Sequence, residues 1–105
     1  MMPQLGHMVF FSLLDNTPAK CAELVAACQK YLTVQPGIVH FSAGVRDLDL
    51  TRDVNDTGFD VALHLVFRDR LAHDAYQDDP THNQFIAEQR HNWRQVRVFD
   101  SHIAG

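Results

Sequence analysis

The sequence predicts a single α+β domain in which a four-stranded antiparallel sheet carries its helices on one face. Strand-patterned and helix-patterned segments succeed one another as β, α, β, β, α, β, and Pro80 splits the second helical segment in two. The size agrees: 105 residues, 46% hydrophobic and 21% charged, suit one folded domain with one core. Residues 6–101 are assigned to that domain, 1–5 to an N-terminal extension and 102–105 to a C-terminal tail.

Residues 6–13, "GHMVFFSL", place His7, Val9, Phe11 and Leu13 on one face and Met8, Phe10 and Ser12 on the other, as a strand buried on both sides would. "NTPAKCAELVAACQKYL" then offers Asn16 or Thr17 as a cap and Pro18 in the first turn. Its stripe of Cys21, Leu24, Val25, Cys28 and Leu32 has helical spacing. "QPG" at 35–37 is a turn, and "IVHFSAGV" alternates as a second strand. Arg46 to Gly58, with four aspartates and an asparagine, reads as a solvated connection.

"FDVALHLVFRD" is the clearest strand, with Phe59, Val61, Leu63, Leu65 and Phe67 facing one way and Asp60, Ala62, His64, Val66 and Arg68 the other. Asp69 caps "RLAHDAYQ", whose inner side is Leu71, Ala72, Ala75 and Tyr76, before Asp79 and Pro80 interrupt the helix. It restarts at Pro80 or Thr81 and buries Phe85, Ile86, Gln89 and Trp93, and "QVRVFDS" is the last strand.

That order is the ferredoxin-like βαββαβ pattern. Its sheet has a second face without helices, where Met8, Phe10, Ala62 and Val66 fall. An apolar patch of this kind needs a cover, so a homodimer is expected, its two sheets closing into a dimeric α+β barrel.

The net charge of −4 and the scatter of nine Lys and Arg residues leave no basic stripe for a phosphate backbone, which argues against nucleic acid as a partner. No stretch approaches the roughly 20 apolar residues of a membrane span, and "MMPQLGHMVFF" lacks the pattern of a signal peptide. A cytoplasmic location without membrane attachment is the expectation. Cys21 and Cys28, seven apart on one helix, lie about 10 Å apart along its axis and cannot bridge each other.

Seven histidines is a high number. His73 and His91 fall on the outer sides of helices and His102 in the tail, all three read as solvated; His40 and His64 read as hydrogen-bonded or interface residues on strands. His7 differs, because it sits on the core face of the first strand, at the mouth of an apolar space. Tyr76 and His82, six apart, would diverge on an unbroken helix, but the break at Pro80 can bring them together. A paired imidazole and phenol would supply a base for a proton and a donor for a developing oxyanion. The chain has no H-E-x-x-H, no C-x-x-C and no helical pair of histidines at i, i+4, so no metal site and no cofactor are expected. Asp78, Asp79 and His82 form a weak cluster better explained by helix capping.

"GHMVFFSL", "FDVALHLVFRDRLAHDAYQDDPTHNQF" and the closing "VRVFDS" together resemble the stress-responsive A/B barrel (Dabb) family over Gly6 to Ser101. The resemblance rests on His7, Phe67, Tyr76, Pro80, His82 and Asp100 in order. It implies a dimeric α+β barrel. It also implies chemistry, because the family includes a plant polyketide cyclase that folds a tetraketide thioester by aldol condensation. That enzyme's catalytic tyrosine and histidine correspond to Tyr76 and His82, and a nearby histidine to His7. Its further histidine on the third strand is replaced here by Val61.

A ligand pocket is accordingly expected from Val9, Phe11, Val61, Leu63, Leu65, Phe85, Trp93 and Val98, with Tyr76, His82 and His7 as catalytic residues. The ligand would be small and apolar or carbonyl-bearing. Two other readings stand beside this one: a non-catalytic dimeric stress or accessory protein, and, by analogy of fold, a cofactor-independent oxygenase.

Overall fold

A computed structural model describes residues 2–104. The elements are β1 (Gln4–Leu13), α1 (Pro18–Tyr31), β2 (Ile38–Val45), β3 (Val61–Phe67), α2 (Arg70–Asp78), α3 (Pro80–Gln89) and β4 (Trp93–Ile103), with a short 3₁₀ turn at Arg90–Asn92. All strand pairs are antiparallel and the order is β2-β3-β1-β4. The two central strands, β1 and β3, are therefore the ones whose inward residues are most completely buried. Leu5, Val9, Phe11 and Leu13 on β1 and Val61, Leu63, Leu65 and Phe67 on β3 form one cluster with Leu24, Cys28, Tyr76 and Phe85 from the helices.

Local chemistry sets each helix boundary. Thr17 precedes α1 with Pro18 at the first position, where a missing N–H costs nothing; the Thr17 side chain makes no capping bond. The Asp69 carboxylate accepts from the Ala72 amide at 2.9 Å and caps α2. Asp79 ends α2, its N–H donating to Tyr76 O, and caps α3 by accepting from the Thr81 amide at 2.7 Å. The Gln35 amide donates to the same carboxylate at 3.0 Å, which ties the break to the turn after α1. In that turn Gly37 takes φ +89°, and a Cβ there would lie 2.5 Å from the Ala72 Cβ of α2. Only glycine allows both the backbone conformation and the approach.

Several expectations shift on the structure. Both edges of the β1/β4 ladder run longer than the pattern indicated, pairing Gln4 with Ile103, so His102 belongs to β4 and not to a tail. Trp93 opens β4 instead of ending a helix, because the 3₁₀ turn closes the helical segment first; Gln89, expected on the inner edge, is only half-buried. Phe59 lies on the other side of the sheet from Leu63: its ring meets Phe10 edge-on at 5.1 Å, while Asp60 turns inward to accept from the Leu13 amide at 2.8 Å. The strand proper starts at Val61, and the alternation does not extend past it. On α2 the inner residues are Ala72 and Tyr76, whereas Leu71 is 67% exposed and Ala75 is exposed.

The face without helices carries the apolar residues expected there. Strand register puts Phe10 opposite Ala62 and Arg97, and Met8 opposite His64 and Phe99. Phe59 and Phe99 flank Phe10 with edge-to-face rings, and Phe99 remains 53% exposed. His40, Ser42 and His64 form a hydrogen-bonded line across the same face, at 3.1 and 3.0 Å.

Candidate functional site

The helices pack mainly on β1, β2 and β3, so the inward row of edge strand β4 has little above it. A cavity of about 340 Å³ results, within the size range of small-molecule pockets. Its apolar wall comes from Val9 and Phe11 of β1, Leu63 of β3, Phe85 and Ile86 of α3, and Trp93, Val96 and Val98 of β4. The Trp93 ring sits 5.0 Å from Phe11 and 5.8 Å from Phe85, closing that side with aromatic contacts. Val96 and Val98 are partly exposed and leave the cleft open to solvent.

Its polar lining is His7, Asp100, His73, Gln77, Tyr76 and His82. Tyr76 comes from the last turn of α2 and His82 from the first turn of α3. The Asp79–Pro80 break folds the two rings to 4.4 Å between centroids, tilted by 49°. They meet in a tilted contact. Both residues are buried, and His82 Nδ1 is a buried polar atom without a partner, a condition that costs about 1–3 kcal/mol. Burial pushes the Tyr76 phenol well above its ordinary value, so it stays protonated and able to donate. Burial also lowers the His82 pKa, against a smaller raising effect of the Gln77 backbone, and favours the neutral imidazole that accepts a proton.

His7 stands opposite Asp100 in the β1/β4 register, and its Nδ1 lies 2.5 Å from Asp100 Oδ1. An ionised carboxylate only accepts, so Nδ1 carries the proton and Nε2 keeps its lone pair. Burial lowers the His7 pKa more than the Asp100 bond and charge raise it. The His7 ring is 5.9 Å from Tyr76 and 5.2 Å from His73.

His73 lies elsewhere than the sequence predicts. It is not a solvated outer residue: its side chain is 13% exposed and packs edge-on against His7 and Phe67. Helical periodicity would have found it, since it lies three residues before Tyr76, had Leu71 not seemed the better inner residue. Its Nδ1 is 3.0 Å from Asp74 Oδ1, which Arg70 Nε also reaches at 2.8 Å. The sequence marks Asp100 only as the end of a strand, although its period-two relation to Val96 and Val98 puts it on the cleft side. His7, His73 and Asp100 bring one ligand-type atom each to within 4.8 Å of one another.

Of the expected pocket residues, Val9, Phe11, Leu63, Phe85, Trp93 and Val98 line the cavity together with Tyr76, His82 and His7. Val61 and Leu65 do not. Both are fully buried in the packed core and do not reach the cavity, although they stand in register with Phe11 and His7 of β1, which line it. The Asp79 carboxylate is committed to Thr81 and Gln35, which accounts for its place beside Pro80. Its pKa is lowered, chiefly by the Thr81 amide. Both thiols are buried, and burial pushes Cys28 up to about 12, so neither is set up as a nucleophile.

The stress responsive A/B barrel domain matches residues 5–103 of the chain. No curated protein is significantly similar to it in sequence. Among solved structures, a Dabb family protein with a ferredoxin-like fold from Mesorhizobium loti matches with a TM-score of 0.79 at 20% identity, over 99% of this chain and 100% of its own. A dimeric ferredoxin-like protein of unknown function from Thermobifida fusca gives 0.80 at 19%, over 98% and 93%. The hydroxynitrile lyase of Passiflora edulis gives 0.78 at 18%, over 99% and 96%. At these identities the likeness is one of fold. No helix among the described residues is long and apolar enough to cross a membrane.

Proposed function

The chain belongs to the stress-responsive A/B barrel domain family, and we propose that it binds a small, largely apolar, carbonyl-bearing molecule in the cleft between sheet and helices and acts on it by Tyr/His acid–base chemistry. One observation carries this reading: a buried imidazole with an unpartnered Nδ1, tilted against a buried phenol at the wall of an apolar cavity. His82 takes a proton from the carbon beside the carbonyl. Tyr76 donates to the oxygen on which charge develops, and its raised pKa keeps that proton available. His7, oriented by Asp100, is the supporting polar group. The polyketide cyclase of the same family uses residues that correspond to Tyr76 and His82, and a lyase shares the fold. Val61, which replaces a histidine of that cyclase, is buried away from the cleft.

The functional unit is a homodimer in which the faces bearing Phe10, Phe59 and Phe99 pack together. This apolar row lacks a cover in one chain, and the fold recurs in a protein described as dimeric. A non-catalytic accessory dimer is the second reading, and this face is what favours it.

Titrating aryl-alkyl and long-chain β-keto compounds against wild type, Tyr76→Phe and His82→Ala by calorimetry, with turnover followed in parallel, separates the two. Weaker binding or lost turnover in the variants supports the acid–base site. Equal binding and turnover in all three proteins removes it and leaves the accessory dimer.

A further inference from the structure

We propose that His7, His73 and Asp100 form a binding site for one first-row divalent transition-metal ion per protomer. The three residues come from β1, α2 and β4, so the site exists only in the folded chain, and their ligand-type atoms lie within 4.8 Å of one another. Two imidazoles and one carboxylate are a donor set that suits zinc, iron, cobalt or manganese and is too nitrogen-rich for calcium or magnesium.

The distances are those of a site that needs little closure. Ligands about 2.1 Å from an ion stand roughly 3.0–3.5 Å apart. His7 Nδ1 and Asp100 Oδ1, 2.5 Å apart with a proton between them, would open slightly as His7 changes to the tautomer protonated on Nε2 and frees the Nδ1 lone pair, and the His73 ligand atom, within 4.8 Å of both, would move in. The Asp100 side chain is 43% exposed and free to make that adjustment, whereas His7 is packed in place.

Two further observations point to a bound group. The outer support of a metal-binding histidine is already present: Asp74 Oδ1 accepts from the His73 Nδ1–H at 3.0 Å, Arg70 holds that carboxylate from the other side, and the Nε2 lone pair, which the Gln77 side-chain amide meets at a long 3.4 Å, would exchange that weak contact for the ion. The cluster also stands between two openings. His73 and Asp100 line both the 340 Å³ cleft and a second cavity of about 290 Å³ bounded by Arg70, Ser101 and His102. An ion there would keep coordination positions open on the side of the cleft, as a site that engages a ligand requires and a closed structural site does not. Arg70, which lines the second cavity, is already paired to Asp74.

The inference rests on this cluster and not on Tyr76 and His82, so either can fail without the other. The test uses tag-free protein titrated with Co²⁺, followed by its visible absorption, and with Zn²⁺ by calorimetry, for wild type, His73→Phe, Asp100→Asn, Asp74→Asn and His91→Ala. His73→Phe keeps a ring against Phe67 and guards against a folding defect. Saturation at about one ion per chain is expected in wild type and His91→Ala, with affinity down about tenfold or more in His73→Phe and Asp100→Asn and by a smaller factor in Asp74→Asn. Absence of saturable binding to wild type, or binding unchanged in His73→Phe and Asp100→Asn, overturns the site; either result leaves the effects of Tyr76 and His82 substitutions to be judged on their own.

Discussion

The helix-covered side of the sheet has two unlike halves. Beneath α1, Leu24, Cys28 and Leu32 are 0–1% exposed and pack into the core, and the hollow of about 570 Å³ at the N-terminal end of this helix, between Pro18, Cys21, Val45 and Leu48, is lined by none of them. Beneath α2 and α3 the same sheet holds a cavity of about 340 Å³, and the His82 Nδ1 and Trp93 Nε1 atoms are buried without partners. The first half is arranged as burial of apolar area would dictate. The second gives up packing and polar satisfaction, which a chain of 105 residues with one small core can tolerate only where something is gained.

That contrast breaks most visibly under truncation. Leu24→Ala should lower stability by about 2.7–5 kcal/mol, because the surrounding helix and sheet cannot collapse into the space. Val98→Ala, which also shortens an inward apolar side chain but on the half-exposed wall of the cleft, should cost less than about 1 kcal/mol. Urea denaturation of both variants checks the comparison. Equal losses would mean that the cleft is as well packed as the core and that its hollow has no special status.

Gly37→Ala should come next, at about 1–3 kcal/mol, from a positive φ forced on a β-carbon and from its approach to Ala72. Its effect should fall on the cleft half, since pushing on α2 moves His73 and Tyr76 relative to His82. Hydrogen exchange of α2 and α3 amides, faster in the variant while those of β1 and β3 keep their order, is the expected pattern.

The fold was legible in the sequence because it depends on periodicity. Alternation on β1 and β3 and the stripe on α1 follow from burial alone, and the Asp79–Pro80 break is written in capping chemistry that acts over three residues. The site was legible only in part. Tyr76, His82 and His7 stood out by residue type and by resemblance, but the partners that complete them are tertiary. The pair of His7 with Asp100 depends on the register of β1 against β4, 93 residues apart in the chain. His73 was hidden by a choice between neighbouring helical faces in which the more apolar Leu71 prevailed, and the structure leaves Leu71 in water. Resemblance points to Val61 and a shared strand face to Leu65 as pocket residues beside Leu63, yet both are covered by the packed core, and pattern cannot say which residues of one strand face are left uncovered.

His82→Leu sharpens the comparison in the opposite direction from the core truncations. Replacing a buried imidazole that has an unpartnered nitrogen with an apolar side chain should leave stability unchanged or raise it by about 1 kcal/mol, while ligand binding in the cleft falls. Thermal melting and titration of the same sample measure both. A loss of several kcal/mol would instead make His82 a structural member of the core and favour the accessory-dimer reading.

The smallest effect is on pH dependence, and it too belongs to the cleft half. His7 and His82 have folded-state pKa values below the ordinary 6.5, with burial the main cause in both. Unfolding returns each to its ordinary value, so below about pH 6.5 the unfolded chain holds protons that the folded chain does not. Stability is therefore fully present above that pH, falls as pH drops through the window between the unfolded and folded values, and levels off beneath it. The slope is at most about 1.4 kcal/mol per pH unit for each histidine. His82→Leu removes one contribution and should flatten the fall. Asp100→Asn removes the charge that holds the His7 value up, so the window should extend to lower pH. In the packed half burial raises both thiols, Cys21 and Cys28, the latter to about 12, and neither changes charge in this range. Denaturation midpoints from pH 5 to 8 should thus keep their wild-type slope in Leu24→Ala and lose part of it in His82→Leu, and the same slope in both would place the titrating groups outside the cleft.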